Sequence, residues 1–283
     1  MSEGNDSRDN GLSLRRVRLL PRKGANRGPL KRRVPAAQLK KGIYLIPSLF
    51  TSGNLLCGFF SIVSTFNGEY LQAAIFIIIA NLLDGLDGTV ARLTRTSTQF
   101  GIEFDSLADL VSFGVAPGVL VYYWALLPWG TWGWLASGLY VVCGALRLAR
   151  FNVQASSAEK THFVGLPIPA AAEMIVAIVL LYHFFGGAGD PSKRFILLLA
   201  IYALAGLMVS NFQYVSMKQL DLKGRHPIWI LLSAILLIKL VIAEPQIMLF
   251  SVFLLYILSG PLLWLFTVYQ RRREQGGETG DTL

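Results

Sequence analysis

Eight apolar stretches separated by short polar connections run along the chain, near residues 45–66, 70–91, 102–124, 131–150, 167–185, 194–212, 228–243 and 246–269. Most approach the roughly 20 residues that a helix needs to cross a bilayer. Helices are the expected form, because an open sheet edge leaves its backbone polar groups unsatisfied in lipid. Pro47 and Pro167 lie near the starts of two stretches, where a missing N–H costs little. The pattern predicts an all-α integral membrane protein with about eight transmembrane helices.

Composition agrees with the pattern. The 283 residues are 53% hydrophobic and only 15% charged, with a mean hydropathy of +0.51, whereas soluble domains carry about 25% charged residues. The net charge of +9 arises mainly at the N-terminus, where residues 1–41 hold 12 of the 26 Lys and Arg, among them Arg15, Arg16, Arg18, Lys31, Arg32, Arg33, Lys40 and Lys41. No aromatic residues interleave with these charges, and a span follows directly. The segment therefore reads as an inside-facing tail drawn to anionic lipid headgroups, not as a nucleic-acid-binding arm. It lacks the apolar region of a secretory signal within its first 30 residues, and its polar, Arg-rich composition predicts disorder. The expected organisation is a cytoplasmic tail over 1–42, a transmembrane domain over 43–270 and a short cytoplasmic tail over 271–283.

Orientation follows from the distribution of basic residues. With the N-terminus inside, Arg92, Arg95, Arg147, Arg150, Lys160, Lys218, Lys223, Arg225 and Arg271 to Arg273 also fall inside. Only Lys193, Arg194 and Lys239 fall on the other side. Both termini are expected in the cytoplasm, with an even number of spans in the inner or cell membrane. Cys57 and Cys143 both lie in apolar stretches and suggest no disulfide framework. The three histidines share no metal-ligand spacing, and His162 reads as an ordinary loop residue.

Chemistry concentrates at the polar tip joining the second and third stretches. Asp84 and Asp87 are three apart and Asp105 and Asp109 four apart, so each pair shares one face of its helix. The two helices are antiparallel, and each pair is expected about one to two helical turns from the same inner membrane surface. Four carboxylates converging there need compensation, since ionised groups in a membrane are costly and mark functional sites. Hard oxygen ligands suit Mg²⁺ or Mn²⁺, and two such ions would offset four charges and clamp a diphosphate. Gly88, Ala91 and Gly101 are small where either a bulky ligand or a neighbouring helix needs close approach.

The complete run is Asp84-x2-Asp87-Gly88-x2-Ala91-Arg92-x8-Gly101-x3-Asp105-x3-Asp109. It resembles, without departure, the signature of the CDP-alcohol phosphatidyltransferase family. That resemblance implies a bundle of the family's type and two metal ions held by Asp84, Asp87, Asp105 and Asp109, with Asp109 also the general base. It implies displacement of CMP from a CDP-lipid by an alcohol, a CDP-lipid site including Thr51, Asn54, Gly88, Ala91, Arg92 and Gly101, and a homodimer. Arg92 is read as a phosphate contact or as one half of a structural ion pair.

The segment Pro47 to Gly58, with Thr51 and Asn54, is similar to the first span of membrane-embedded phosphatidylserine synthases. So are Arg147-Leu-Ala-Arg150-Phe-Asn152 and Gly165-Leu-Pro167-Ile-Pro169-Ala. The implied substrates are CDP-diacylglycerol and L-serine. Arg147 and Arg150 lie at the inner end of the fourth stretch, where a guanidinium suits a carboxylate or lipid phosphate or snorkels to the interface. Asn152 is the third candidate for the acceptor. Glycerol 3-phosphate, inositol phosphate and choline are alternative acceptors. An ion-coupled transporter is a reading from another class, but it places carboxylates near the midplane on broken helices.

Overall fold

The computed structural model describes residues 36–94, 98–156, 165–187, 195–212, 214 and 244–278. Most of the basic tail, His162 and the apolar stretch 228–243 lie outside the described residues. Among those described there are helices and no strands. Helix α1 spans Ala36–Phe66 and α2 spans Tyr70–Thr94. The third membrane passage is composite: α3 (Gln99–Asp109), a π-helical turn (Leu110–Val115), α4 (Ala116–Val121), a second π-helical turn (Tyr122–Leu126) and a 3-10 turn (Leu127–Trp129). Then follow α5 (Thr131–Ser156), α6 (Ile168–Phe184), α7 (Phe195–Val209) and α8 (Pro245–Glu278). Thus α1 begins inside the segment expected to be tail, and α8 runs past residue 270.

Among the described residues, five segments are long and apolar enough to cross a membrane: Ser48–Phe66, Tyr70–Val90, Gln99–Trp129, Thr131–Gln154 and Pro245–Gln270. Helices α6 and α7 are apolar but shorter, with 17 and 15 residues. At 1.5 Å per residue they reach about 25 and 22 Å. Large apolar side chains such as Phe59, Leu82, Leu86, Leu255 and Leu262 point outward, as expected of a lipid-facing surface. Small ones, including Ala73, Ala74, Ala80, Ala171 and Ala172, fill the interior, where they allow helices to approach closely.

Among the described residues, two carbonyls that lie four residues before a proline accept a hydrogen bond from a tyrosine hydroxyl. Pro117 has no N–H to give to the Phe113 carbonyl four residues earlier. The Tyr140 hydroxyl of α5 donates to that carbonyl instead, at 3.0 Å. Pro261 inside α8 likewise has no N–H to give to the Ile257 carbonyl, and the Tyr214 hydroxyl donates to it at 3.4 Å. Neighbouring side chains thus supply what lipid cannot.

Candidate active site

The acidic hairpin is built from α2, α3 and the face of α1 packed against them. Thr98 caps α3 from an extended backbone, its hydroxyl accepting the Gly101 N–H at 3.0 Å, the usual device for an orphaned first-turn donor. A Cβ on Gly101 would sit 3.2 Å from that hydroxyl, so the glycine here serves the cap. Gly88 differs: a Cβ there would meet nothing within 4 Å. Close helix packing does not explain Gly88, and open space beside the motif does.

Beyond the cap, α3 carries Asp105 and Asp109 inward, where they meet Asp84 of α2. One carboxylate oxygen from each of Asp84, Asp105 and Asp109 lies within 4.8 Å of the others. Asp87, 6% exposed, takes a different partner and accepts a hydrogen bond from the Thr51 hydroxyl of α1. Three of the four motif aspartates therefore form one cluster, and the fourth is held one turn nearer the α2–α3 connection. Three hard oxygen donors at this spacing fit a divalent cation such as Mg²⁺ or Mn²⁺.

Helix α1 places two polar side chains on the aspartates. Thr51, Asn54 and Gly58 lie three and four residues apart and so share a face. A Cβ on Gly58 would lie 2.9 Å from the Ser112 Cα, so glycine permits α1 to pass against the π-helical turn. There the Ser112 hydroxyl donates to the Asn54 carbonyl at 2.9 Å, and the Asn54 side-chain amide donates to Asp109 Oδ1 at 3.2 Å. Thr51 and Asn54, expected in the CDP-lipid site, both contact carboxylates of the motif. The π-helical turn begins at the residue after Asp109. Such turns frequently mark functional sites, since the extra residue re-aims the faces on either side.

The C-terminal end of α5 supplies the remaining candidates. Asn152 donates through Nδ2 to the Ser106 hydroxyl at 2.8 Å, which fixes α5 beside the aspartate-bearing turn of α3. Arg150 is committed to the side-chain oxygen of Asn211 at 3.0 Å. Arg147 is 7% exposed, its Nε has no hydrogen-bond partner, and its guanidinium lies 5.6 Å from the Phe151 ring centroid. The two helices are antiparallel. From the Asn152–Ser106 contact, Arg147 is about 7.5 Å deeper along α5 and Asp109 about 4.5 Å deeper along α3. They share a level in the membrane to within about 3 Å. The side chains of Ala91 and Arg92 lie outside the described residues.

Ser106, Ser112 and Asn211 escape sequence reasoning because each is an ordinary polar residue until a distant helix meets it. Gly58 has a visible signal, a small residue one turn from Asn54 on an apolar helix.

Residues 44–270 match the CDP-alcohol phosphatidyltransferase family over most of the chain. The chain belongs to that family. Among curated relatives, a CDP-diacylglycerol–serine O-phosphatidyltransferase of Helicobacter pylori is 40% identical over 228 residues, covering 79% of this chain and 92% of the relative. A Bacillus subtilis protein of the same name is 35% identical over 174 residues, 62% of this chain and 92% of its own length. An archaetidylserine synthase of Methanothermobacter thermautotrophicus is 38% identical over 171 residues, 60% of this chain and 69% of its own. The family match covers the apolar helices and all four motif aspartates, in keeping with an integral membrane transferase.

Proposed function

We propose that this protein transfers the phosphatidyl group of CDP-diacylglycerol to the hydroxyl of L-serine, forming phosphatidylserine and releasing CMP. The observation that carries the chemistry is the convergence of Asp84, Asp105 and Asp109 within 4.8 Å on the α2–α3 hairpin. The serine assignment rests on the relatives, whose names share serine or a serine-headed lipid in bacteria and an archaeon. Helices α2 and α3 keep their carboxylates toward one end of the hairpin, an arrangement that favours a headgroup reaction over midplane transport.

Asp84, Asp105 and Asp109, with Asp87 beside them, would hold two Mg²⁺ or Mn²⁺ ions. Bound there, the ions supply charge stabilisation to the diphosphate oxygens. Asp109, oriented by the Asn54 amide, accepts the serine hydroxyl proton. The serine oxygen then bonds to the lipid-side phosphorus while the bond from that phosphorus to the CMP oxygen breaks. The open side of Gly88 leaves room for the nucleotide, with Ala91, Arg92 and Gly101 beside it. Arg147, whose Nε has no hydrogen-bond partner, offers its guanidinium to the serine carboxylate or the lipid phosphate. Arg150 and Asn152 hold the α5 end of the acceptor pocket. The active site faces the cytoplasm from the inner or cell membrane, where basic residues gather. A homodimer belongs to the same reading, on family resemblance.

Purified protein given CDP-diacylglycerol, Mn²⁺ and a panel of alcohols is expected to release CMP with serine alone and to stop when the metal is chelated. Release with another alcohol in place of serine overturns the acceptor, and turnover unaffected by chelation overturns the metal chemistry.

A further inference from the structure

Among the described residues, Glu173 is the buried carboxylate outside the aspartate motif. It lies in α6, is 3% exposed, and is surrounded in sequence by buried Ala170, Ala171, Ala172, Ile175 and Val176. Its Oε1 accepts a 2.9 Å hydrogen bond from the side-chain amide of Asn81 on α2. A carboxylate placed in an apolar helix interior is expensive and marks function more often than stability. Catalysis as set out above gives it no role.

Its partner suggests one. Asn81 is three residues before Asp84, one turn away on the same side of α2. The α2 residues buried around it include Ala73, Ala74, Ile77 and Ala80, and three of these four are small. Smooth apolar contacts fix the rotation of a helix about its own axis weakly, whereas one buried polar pair specifies register strongly. At a side-chain radius of about 5–6 Å, a rotation of about 20° moves a carboxylate by about 2 Å. Metal–ligand distances tolerate shifts of only about 0.2 Å.

We infer that Glu173 is a positioning residue: through Asn81 it sets the rotation of α2 and holds Asp84 in register with Asp105 and Asp109 for a divalent cation. The inference rests on the metal-dependent reading above.

Mn²⁺ binding to the purified full-length protein in detergent, read by loss of the free-ion electron paramagnetic resonance signal, tests it without reference to turnover. Glu173→Leu is expected to weaken Mn²⁺ binding about tenfold, in the range seen for residues that orient metal ligands. Glu173→Gln keeps an acceptor for Asn81 and is expected to bind within about twofold of the unaltered protein, well short of that loss. The double variant Asn81→Leu with Glu173→Leu replaces the pair by an apolar contact. It is expected to regain thermal stability and still bind Mn²⁺ weakly, and it decides the matter if Glu173→Leu alone fails to fold. Wild-type Mn²⁺ affinity in the double variant overturns the inference, as does Glu173→Gln losing as much affinity as Glu173→Leu. Absence of Mn²⁺ binding by the unaltered protein removes the metal reading itself and this inference with it. Normal binding by the unaltered protein and by every variant removes this inference alone.

Discussion

The side-chain amide of Asn54 donates to Asp109 Oδ1 at 3.2 Å, joining α1 to the last aspartate of the motif across 55 residues of sequence. Asn54 is fully buried, and its backbone carbonyl is gripped in turn by the Ser112 hydroxyl. The amide therefore arrives at Asp109 on a rigid support, and it sets which way that carboxylate faces.

Replacing Asn54 by leucine should leave Asp109 present but unoriented. CMP release is expected to fall by about 10–100-fold, the range for residues that orient a metal ligand. Circular dichroism and elution volume in detergent check that the fold persists. Unchanged turnover in a folded Asn54→Leu protein shows that the hydrogen bond has no part in the chemistry.

Asp109→Asn removes the proton acceptor while keeping the size of the side chain. General-base catalysis contributes about 10²–10⁴-fold, so turnover is expected to drop at least that far. A CMP-release assay with serine at saturation is the measurement. A folded Asp109→Asn protein that turns over near the normal rate excludes Asp109 as the base.

The two arginines of α5 should separate cleanly. Arg147 is buried with Nε unpaired, while Arg150 bonds to Asn211, two residues past the end of α7. Arg147→Met is expected to raise the KM for serine or for the lipid by about tenfold or more, as loss of a charged hydrogen bond does. Arg147→Lys should recover little, because an ammonium lacks the planar fork. Arg150→Met should alter KM much less. Initial rates over a grid of both substrates read the difference, and equal KM effects for the two arginines would refute the assignment.

Tyr140→Phe tests the proline-and-tyrosine device in the third passage. It removes the hydroxyl that donates to the Phe113 carbonyl four residues before Pro117, and an unsatisfied buried polar group costs about 1–3 kcal/mol. Lower thermal stability in detergent is expected, with little change in KM. A melting temperature equal to that of the unaltered protein shows that another donor reaches the carbonyl.

The sequence by itself determined the membrane class, the helical architecture and the family. Hydropathy is a sum over neighbouring residues, and the three- and four-residue spacing of Asp84, Asp87, Asp105 and Asp109 is local helix geometry. Both survive any arrangement of the helices in space. The division of labour within the site is different in kind. Asp87 turning to Thr51 while the other three aspartates cluster depends on the rotation of α1 against α2. Arg147 and Arg150, alike in sequence, part company because one faces inward and the other meets Asn211. Gly88 and Gly101 separate into open space and a cap contact. The apolar runs at 167–185 and 194–212 fold as helices of only 17 and 15 residues, because apolar composition marks burial in lipid or protein without setting where a helix stops. Tertiary structure decided each of these outcomes, since a side chain's partner is fixed by helix rotation and depth, and residues far apart in the chain set both.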